Sequence, residues 1–309
     1  MRPVPAGSVR IVGNPENGST GEPETRELPS APGTVSLYVR ALLSRRGEGP
    51  VPARRLVLRD VAADPVRLRR YADVCGFADS SRLPVTYPHI VAFPLAMSLM
   101  TARDFPLPLL GLVHIANRIE RLRPVEAGER LTYRVWADRS RPHPKGTAFD
   151  VVAEADDGSV PVWRSVSTYL HRERAAEGSR PRADVSAGGP RRAGEPVLDE
   201  RWEVPGSAGR RYAAVSGDRN PIHLHPVAAR LFGFPRAIAH GMWTKARALA
   251  ALEDRLPDAY RVDVSFRAPV LLPARVRLTA ARSGAGWEFG LRGDDGAREH
   301  LRGEVSPLG

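Results

Sequence analysis

The stretch YAAVSGDRNPIHLHPVAARLFGFPRAIAHGM, from Tyr212 to Met242, places polar, turn-forming residues between two apolar helical segments. Asn220-Pro221 is a typical turn pair, because asparagine and proline both favour turn geometry. His225 can cap a short helix that has Pro226 at its first position. Local physical chemistry therefore predicts short helical turns joined by tight connections between the two longer helices.

Four polar side chains crowd into this stretch beside apolar neighbours: Asp218, Asn220, His223 and His240. Buried polar groups require hydrogen-bond partners, and the neighbouring sequence offers few of them. The cluster indicates either turn-forming polar residues or a functional site. The crowding favours the functional site.

The region around this stretch recurs earlier in the chain. Tyr71-Ala72 with Gly76 matches Tyr212-Ala213 with Gly217 at an offset of 141 residues. Two other pairs match at an offset of 145, with residues 88–97 over 233–242 and residues 124–125 over 269–270. A single four-residue insertion reconciles the offsets. The repeat predicts a chain made of two copies of one unit.

Each copy shows the same succession of a strand, a short helix, a longer helix and several strands. In the second copy Met242, Ala246, Leu249 and Leu252 recur at helical spacing, and Pro257 follows as a stop. The strand-like runs are 261–266, 275–280 and 287–291 in the second copy, and 112–119, 130–136, 148–155 and 162–170 in the first. One long helix against mainly antiparallel strands, made twice, is an α+β pattern.

The opening stretch resembles the hydration motif of the MaoC-like (R)-specific enoyl-thioester hydratases and 3-hydroxyacyl-thioester dehydratases. The resemblance implies a double hot-dog fold, in which each copy wraps a mainly antiparallel sheet around one long helix. It extends from about Leu56 to the C-terminus, apart from a linker. The matching residues are Ser216-Gly217-Asp218, Asn220-Pro221-Ile222-His223, Gly233-Phe234 and Ala239-His240-Gly241-Met242.

The resemblance implies that Asp218 and His223 form the catalytic pair. Moving a proton at Cα and a hydroxyl at Cβ of a thioester requires two acid–base groups on one side of the substrate. For hydration we expect His223 to activate water and a protonated Asp218 to deliver the Cα proton. The backbone N–H of Gly241 would form the oxyanion hole at a helix start. Asn220 would fix the loop, and His240 would either support the pair or pack in the core.

The first copy lacks this chemistry. Phe77 and Arg82 stand where the 141 offset places Asp218 and His223, so we predict one active site per chain.

The long helix of the first copy is apolar, and we expect Pro94, Pro106 and Pro108 to cut it. We hypothesise that this half opens a groove for a long acyl chain, with ordinary core packing as the alternative. The residues predicted to line that groove are Phe93, Met97, Met100 and Phe105.

Composition predicts the domain boundaries. Residues 1–50 form a lead that is disordered, apart from a short helix at 35–43. Residues 51–172 form the N-terminal hot-dog, and residues 173–196, rich in glycine and proline, form a linker. Residues 197–309 form the C-terminal hot-dog, which holds the active site.

The chain has 309 residues, of which 42% are hydrophobic and 26% charged, as in folded globular proteins. The net charge is +11, but 44 of the 46 basic residues are scattered arginines without interleaved aromatic residues, which argues against nucleic-acid binding. The apolar run at 90–100 is too short to span a membrane. The single Cys75 excludes an intramolecular disulfide, and the lack of a signal-peptide pattern favours the cytoplasm.

The predicted function is a hydro-lyase of fatty-acid metabolism that interconverts (3R)-hydroxyacyl and enoyl thioesters without a cofactor. We expect acyl-CoA or acyl carrier protein as partner, with the arginine-rich surface helping to hold phosphates or an acidic carrier, and leave homodimer formation open. Metal ligation is not expected, since the other histidines lack ligand spacing. The alternatives are a non-catalytic acyl-thioester-binding hot-dog protein and a thioesterase.

Overall fold

The computed structural model describes residues 23–43, 49–172 and 196–309, so the predicted linker lies outside the described residues except for its last position. The first half contains β1 (Glu24–Glu27), α1 (Thr34–Leu43), β2 (Arg54–Ala62), α2 (Pro65–Cys75), α3 (Tyr87–Met100), β3 (Leu112–Arg121), β4 (Arg130–His143), β5 (Gly146–Asp156) and β6 (Pro161–Arg172). The second half contains β7 (Leu198–Val204), α4 (Ala208–Ser216), α5 (Pro221–Leu224), α6 (Pro226–Leu231), α7 (Gly241–Ala250), β8 (Tyr260–Phe266), β9 (Ala274–Ser283), β10 (Gly286–Gly293) and β11 (Glu299–Pro307).

One sheet of 11 strands runs through both halves in the order β1-β2-β4-β5-β6-β3-β8-β11-β10-β9-β7. All pairs are antiparallel except β1 with β2. Helix α3 packs against β2, β4 and β5, and α7 packs against β10. The predicted α+β fold, with one long helix and an antiparallel sheet in each half, is confirmed.

The two halves meet at the pair β3 and β8, which are equivalent strands of the repeat. Arg118 pairs with Asp263, its own equivalent at an offset of 145, and the guanidinium Nε donates to the carboxylate at 2.6 Å. The equivalent tyrosines Tyr71 and Tyr212 also face each other, with ring centroids 6.1 Å apart. A pseudo-two-fold axis therefore passes between the halves.

The prediction that a single four-residue insertion reconciles the two offsets is wrong. The offset is 141 at the glycines that end α2 and α4, Gly76 and Gly217, and 154 at the starts of the long helices, Tyr87 and Gly241. It falls to 145 at the central strands. The second half thus has 13 extra residues before its long helix, and the first half has 9 extra residues after its own.

Helix α3 continues through Pro94, so the prediction that proline cuts this helix is wrong. Proline lacks the N–H that would bond the carbonyl four residues earlier, which is that of Ile90. The guanidinium of Arg67 donates to this carbonyl at 3.5 Å, and also to Val215 and Ser216 at the end of α4, at 2.8 and 3.2 Å. One arginine thus supplies the missing donor and ties the two halves together.

The lead is more ordered than predicted. Its helix is confirmed as α1, but Glu24–Glu27, expected to be disordered, pairs in parallel with β2 as strand β1. Residues 1–22 lie outside the described residues. Among the described helices, none is long and apolar enough to cross a membrane.

Candidate active site

The stretch from α4 to α7 folds as its turn residues predict. Helix α4 ends at Gly217, whose φ of 82° is left-handed and suits glycine. The side chain of Asn220 caps α5 by accepting from the N–H of Ile222 at 3.4 Å. The Nδ1 of His225 caps α6 by accepting from the N–H of Val227 at 3.2 Å. These turns hold Asp218 and His223 on a short segment between fixed helix ends.

The carboxylate of Asp218 is anchored through one of its two oxygens. Oδ1 accepts the hydroxyl of Tyr38 at 2.5 Å and the backbone N–H of Asn220 at 3.2 Å. The backbone N–H of Asp218 donates to Ser216 Oγ at 3.1 Å. Oδ2 has no hydrogen-bond partner among the described residues, and it lies 3.8 Å from His240 Nε2. Asn220 thus contacts Asp218 through its backbone and caps α5 through its side chain, and its role in fixing the loop stays a prediction.

His223 and His240 stack face to face, with ring centroids 3.6 Å apart. Nδ1 of His223 lies 2.9 Å from the carbonyl of Ile238, and Nε2 of His240 lies 3.0 Å from the carbonyl of Asp218. A carbonyl only accepts, so these two nitrogens carry the protons. Nε2 of His223 is consequently left with its lone pair available as a base or acceptor. His240 thus stacks on His223 and is itself buried in the core.

Burial and charge set the protonation states of the cluster. Burial lowers the pKa of His240 to about 3 and also lowers that of His223, against the opposing effect of the Asp218 carboxylate. Burial raises the pKa of Asp218, but the two histidines and the Tyr38 hydroxyl outweigh it, and the pKa lies below its usual value. Both histidines are neutral and Asp218 is ionised at neutral pH. This differs from the protonated Asp218 that we expected.

Gly241 is the first residue of α7, as predicted, and its N–H has no acceptor within the helix. The side chain of the preceding His240 does not cap the helix. A Cβ at Gly241 would lie 3.0 Å from the ring of Phe266, so glycine permits this ring to approach. The helix start is thus an open donor beside the histidine pair.

A cavity of about 660 Å³ adjoins these groups and is lined by both halves. Asp218, His223 and Gly241 line it from the second half, and Phe93 and Met100 from the first. The other two predicted acyl-chain residues do not reach it. Met97 is fully buried without accessible surface, and Phe105 packs edge-on against Phe149 with ring centroids 5.3 Å apart.

Sequence reasoning missed three polar groups of the first half and one of the lead. His89, His114 and Tyr169 line the same cavity, and His114 stacks on Tyr169 at 4.7 Å. Tyr38 reaches Asp218 from a position 180 residues earlier in the chain. Since the predicted helix around Tyr38 showed only an amphipathic pattern, no local signal marked it.

Asp218, His223 and His240 also bring possible metal-ligand atoms within 4.8 Å of one another. This grouping was not expected from the spacing of the histidines. Two of the four imidazole nitrogens, His223 Nδ1 and His240 Nε2, are committed to backbone carbonyls. The lone pairs that remain, on His223 Nε2 and His240 Nδ1, lie in the same cluster as the unbonded Oδ2 of Asp218, an arrangement that suits proton transfer.

Comparison with known proteins identifies the family of this chain. A family model described as "MaoC like domain" matches residues 192–292, the part that contains Asp218, His223 and Gly241. A 3-hydroxyacyl-thioester dehydratase X of Mycobacterium tuberculosis is 38% identical over 267 residues, covering 84% of this chain and 91% of the relative. The chain belongs to the MaoC-like dehydratase family. Its resemblance to that family is thereby confirmed.

Solved structures of MaoC-like dehydratases resemble this chain. The crystal structure of HtdX of M. tuberculosis superposes with a TM-score of 0.71, covering 82% of this chain and all of HtdX. A MaoC-like dehydratase from Phytophthora capsici, only 20% identical, superposes at 0.68 over 82% of this chain and 95% of its own, which supports the fold. An (R)-specific enoyl-CoA hydratase of Aeromonas caviae is 35% identical over 79 residues, covering 23% of this chain and 59% of the relative.

Proposed function

We propose that this chain interconverts (3R)-3-hydroxyacyl thioesters and trans-2-enoyl thioesters by reversible loss and addition of water. The observation that carries the proposal is the pairing of an ionised carboxylate, Asp218, with a neutral imidazole, His223, at the wall of an acyl-sized cavity. The names of the relatives, which are dehydratases and a hydratase, support it. The thioester would be carried on coenzyme A or on an acyl carrier protein.

Proton balance guides the mechanism. The resting pair holds no spare proton, because Asp218 is ionised and Nε2 of His223 is unprotonated. In hydration a water molecule would donate one hydrogen bond to His223 Nε2 and pass its other proton to Asp218 as its oxygen bonds to Cβ. Asp218 then returns that proton to Cα, so water adds to one face with no net change in the enzyme.

The thioester carbonyl gains negative charge as Cβ is attacked. The N–H of Gly241 and the positive end of α7 would stabilise this enolate oxygen. Dehydration is the same path in reverse, with Asp218 taking the Cα proton and passing it to the departing hydroxyl. Proton transfer alone completes the reaction, so we propose that it uses no cofactor.

The acyl tail would extend along the first half of the cavity, past Phe93 and Met100 on α3. Phe93→Trp and Met100→Trp should then slow turnover of long-chain enoyl thioesters more than turnover of crotonyl-CoA. Met97→Ala serves as the matched control, because Met97 has no surface in the cavity. Equal effects of the two tryptophan variants on short and long chains would contradict this placement of the tail.

The function is tested with the purified full chain and crotonyl-CoA, by loss of the enoyl absorbance. The (3R)- and (3S)-hydroxybutyryl-CoA enantiomers are assayed in the reverse direction, and a thiol reagent reports any hydrolysis. We expect turnover of crotonyl-CoA and of the (3R) enantiomer without thiol release. Thiol release would indicate a thioesterase, and binding without turnover of short or long chains would indicate a non-catalytic acyl-binding protein.

A further inference from the structure

Tyr38 belongs to neither copy of the repeat, yet it makes the shortest side-chain contact of the site. Its hydroxyl donates to Asp218 Oδ1 at 2.5 Å, and its side chain lines the cavity. Burial, followed by the nearby Asp218 charge, raises the pKa of this phenol far above its usual value. The hydroxyl therefore stays protonated and remains a donor to the carboxylate at every working pH.

Helix α1 is held where it can deliver this hydroxyl. The strand before it, β1, pairs with β2, and the N–H of Leu28 donates to the carbonyl of Val57 at 2.8 Å. Leu37 on α1 is fully buried. A Cβ at Gly217 would lie 3.3 Å from the methyl group of Thr34, so the start of α1 packs on the turn that precedes Asp218.

The two carboxylate oxygens of Asp218 differ in their hydrogen bonding. Tyr38 and the N–H of Asn220 both bind Oδ1, whereas Oδ2 has no hydrogen bond from the described residues and faces the histidine pair. A carboxylate held by one oxygen cannot rotate freely about its Cβ–Cγ bond. The other oxygen is consequently aimed at the position where a proton would be exchanged.

We propose that Tyr38 is a positioning residue, which anchors Oδ1 of Asp218 so that Oδ2 exchanges protons with substrate and water. The proposal rests on the proposed function, and it makes the N-terminal helix a component of the active site in the second half. Helix α1, which lies outside both repeats, thus completes the site. Without it, the Asp218 carboxylate would lack the hydrogen bond from Tyr38.

Other titratable groups also face Asp218, and each of them could affect the pKa of the carboxylate. Beyond Tyr38, His223 and His240, these are His89 on α3, His114 on β3, Tyr169 on β6 and Tyr212 on α4. Burial lowers the pKa of the two histidines to about 4 and about 3 and raises the pKa of the two tyrosines, so all four are neutral at pH 7. Tyr38 is the one side chain among the described residues that donates directly to the carboxylate.

The test compares the wild type with Tyr38→Phe, which removes only the hydroxyl, and with Val39→Ala, a change at an exposed position of the same helix. For Tyr38→Phe we expect kcat on crotonyl-CoA to fall roughly 10- to 100-fold, the scale of one hydrogen bond to a charged group. KM should change little because the ring remains. Loss of the donor should move the acid limb of the kcat/KM profile toward higher pH. Val39→Ala should behave as wild type.

A second measurement does not depend on turnover. The Asp218 carboxyl carbon is followed by ¹³C NMR titration in wild type and Tyr38→Phe, with its signal assigned by its loss in Asp218→Asn. We expect a higher pKa in Tyr38→Phe by about 1 unit, equivalent to a tenfold change. An unchanged pKa together with unchanged kcat would overturn the proposal while leaving the hydratase assignment intact. A wild type without turnover would reject the proposed function, and the titration would still decide the role of Tyr38.

Discussion

The two halves share a frame but differ in the connection that leads into the long helix. In the first half, Gly76 and Tyr87 are joined by a short loop that carries no acid–base pair. In the second half, the connection from Gly217 to Gly241 is 13 residues longer and contains α5 and α6. The proposed catalytic residues Asp218 and His223 lie on this longer connection. The proposed chemistry therefore lies on a connection that is specific to the second half, between helices that both halves share.

One pair of equivalent positions shows how the two halves differ beside this connection. Leu68 on α2 and Gly209 on α4 correspond at the 141 offset. Leu68 is buried in the core of the first half. A Cβ on Gly209 would overlap the carbonyl oxygen of His223, because α5 packs directly on this helix. Glycine costs about 1 kcal/mol in a helix, and here it makes room for the catalytic segment.

The largest expected effect separates the two halves by activity. Asp218→Asn and His223→Ala should each lower kcat/KM for crotonyl-CoA by about 10²- to 10⁴-fold, because each removes an acid–base group. Arg82→Ala is the control in the first half, where Arg82 is exposed and paired with Glu126 at 3.1 Å. It should retain wild-type kinetics. A Tm for both active-site variants near that of the wild type would place the loss in chemistry, and a strongly lowered Tm would argue for a structural role.

A smaller but sharper effect is expected at the Leu68–Gly209 pair. Gly209→Ala should displace His223 and lower kcat at least 10-fold, since a misplacement near 1 Å can cost about 100-fold. Leu68→Ala should lower the free energy of unfolding by about 2–5 kcal/mol and leave kcat in the folded protein nearly unchanged. The measurements are steady-state kinetics and urea unfolding. If Gly209→Ala kept full activity, the packing account of this glycine would be wrong.

Acid should weaken the fold through histidines contributed by both halves. The pKa values of His89, His114 and His240 are near 4, 3 and 3 when folded, against about 6.5 when unfolded. As the pH falls below 6.5, the unfolded chain takes up protons first, so this stability is fully present above 6.5 and is lost progressively down to about pH 3. Each histidine contributes a slope of up to about 1.4 kcal/mol per pH unit.

The measurement is Tm across pH 7 to 4.5, with His114→Phe as the comparison. That variant removes one of the buried imidazoles, so its Tm should fall less steeply with acid than that of the wild type. Parallel curves for the two proteins would show that His114 is not held neutral in the folded state.

The smallest effect is expected where the halves meet. Arg118 and Asp263 lie on the pseudo-two-fold axis, but their side chains are 50% and 40% exposed. Exposed ion pairs contribute about 0–1 kcal/mol, so Arg118→Ala should shift Tm only slightly. The halves are joined mainly by the β3–β8 ladder and the buried faces beside it. A large fall in Tm would mean that this ion pair does more than its exposure suggests.

Much of the frame could be predicted because its signals are local. Strand alternation, the glycines that end α2 and α4, and the caps at Asn220 and His225 all act within a few residues of where they occur in sequence. The expected break at Pro94 was wrong because Arg67, distant in sequence, donates to the carbonyl of Ile90 that proline leaves without a partner. Apolar similarity then aligned the wrong segments across the two copies.

In the site, too, the residues marked by a local pattern could be predicted and those placed by tertiary packing could not. Asp218, Asn220, His223, His240 and Gly241 were predicted from one contiguous stretch, and the structure brings them together. Tyr38 and the first-half residues His89, His114 and Tyr169 reach the cavity only through tertiary packing, which no local pattern records. The pKa of Asp218 is likewise lowered by groups that include a hydroxyl donor 180 residues away, Tyr38.

The most direct test of an asymmetric chain is to count its sites. The Asp218→Asn chain is titrated with crotonyl-CoA by calorimetry while its enoyl absorbance is followed. We predict one molecule bound per chain, with the absorbance nearly constant over the titration because the second half alone carries the chemistry. Two molecules bound per chain, or turnover near that of the wild type, would contradict a single active site built on the insertion of the second half.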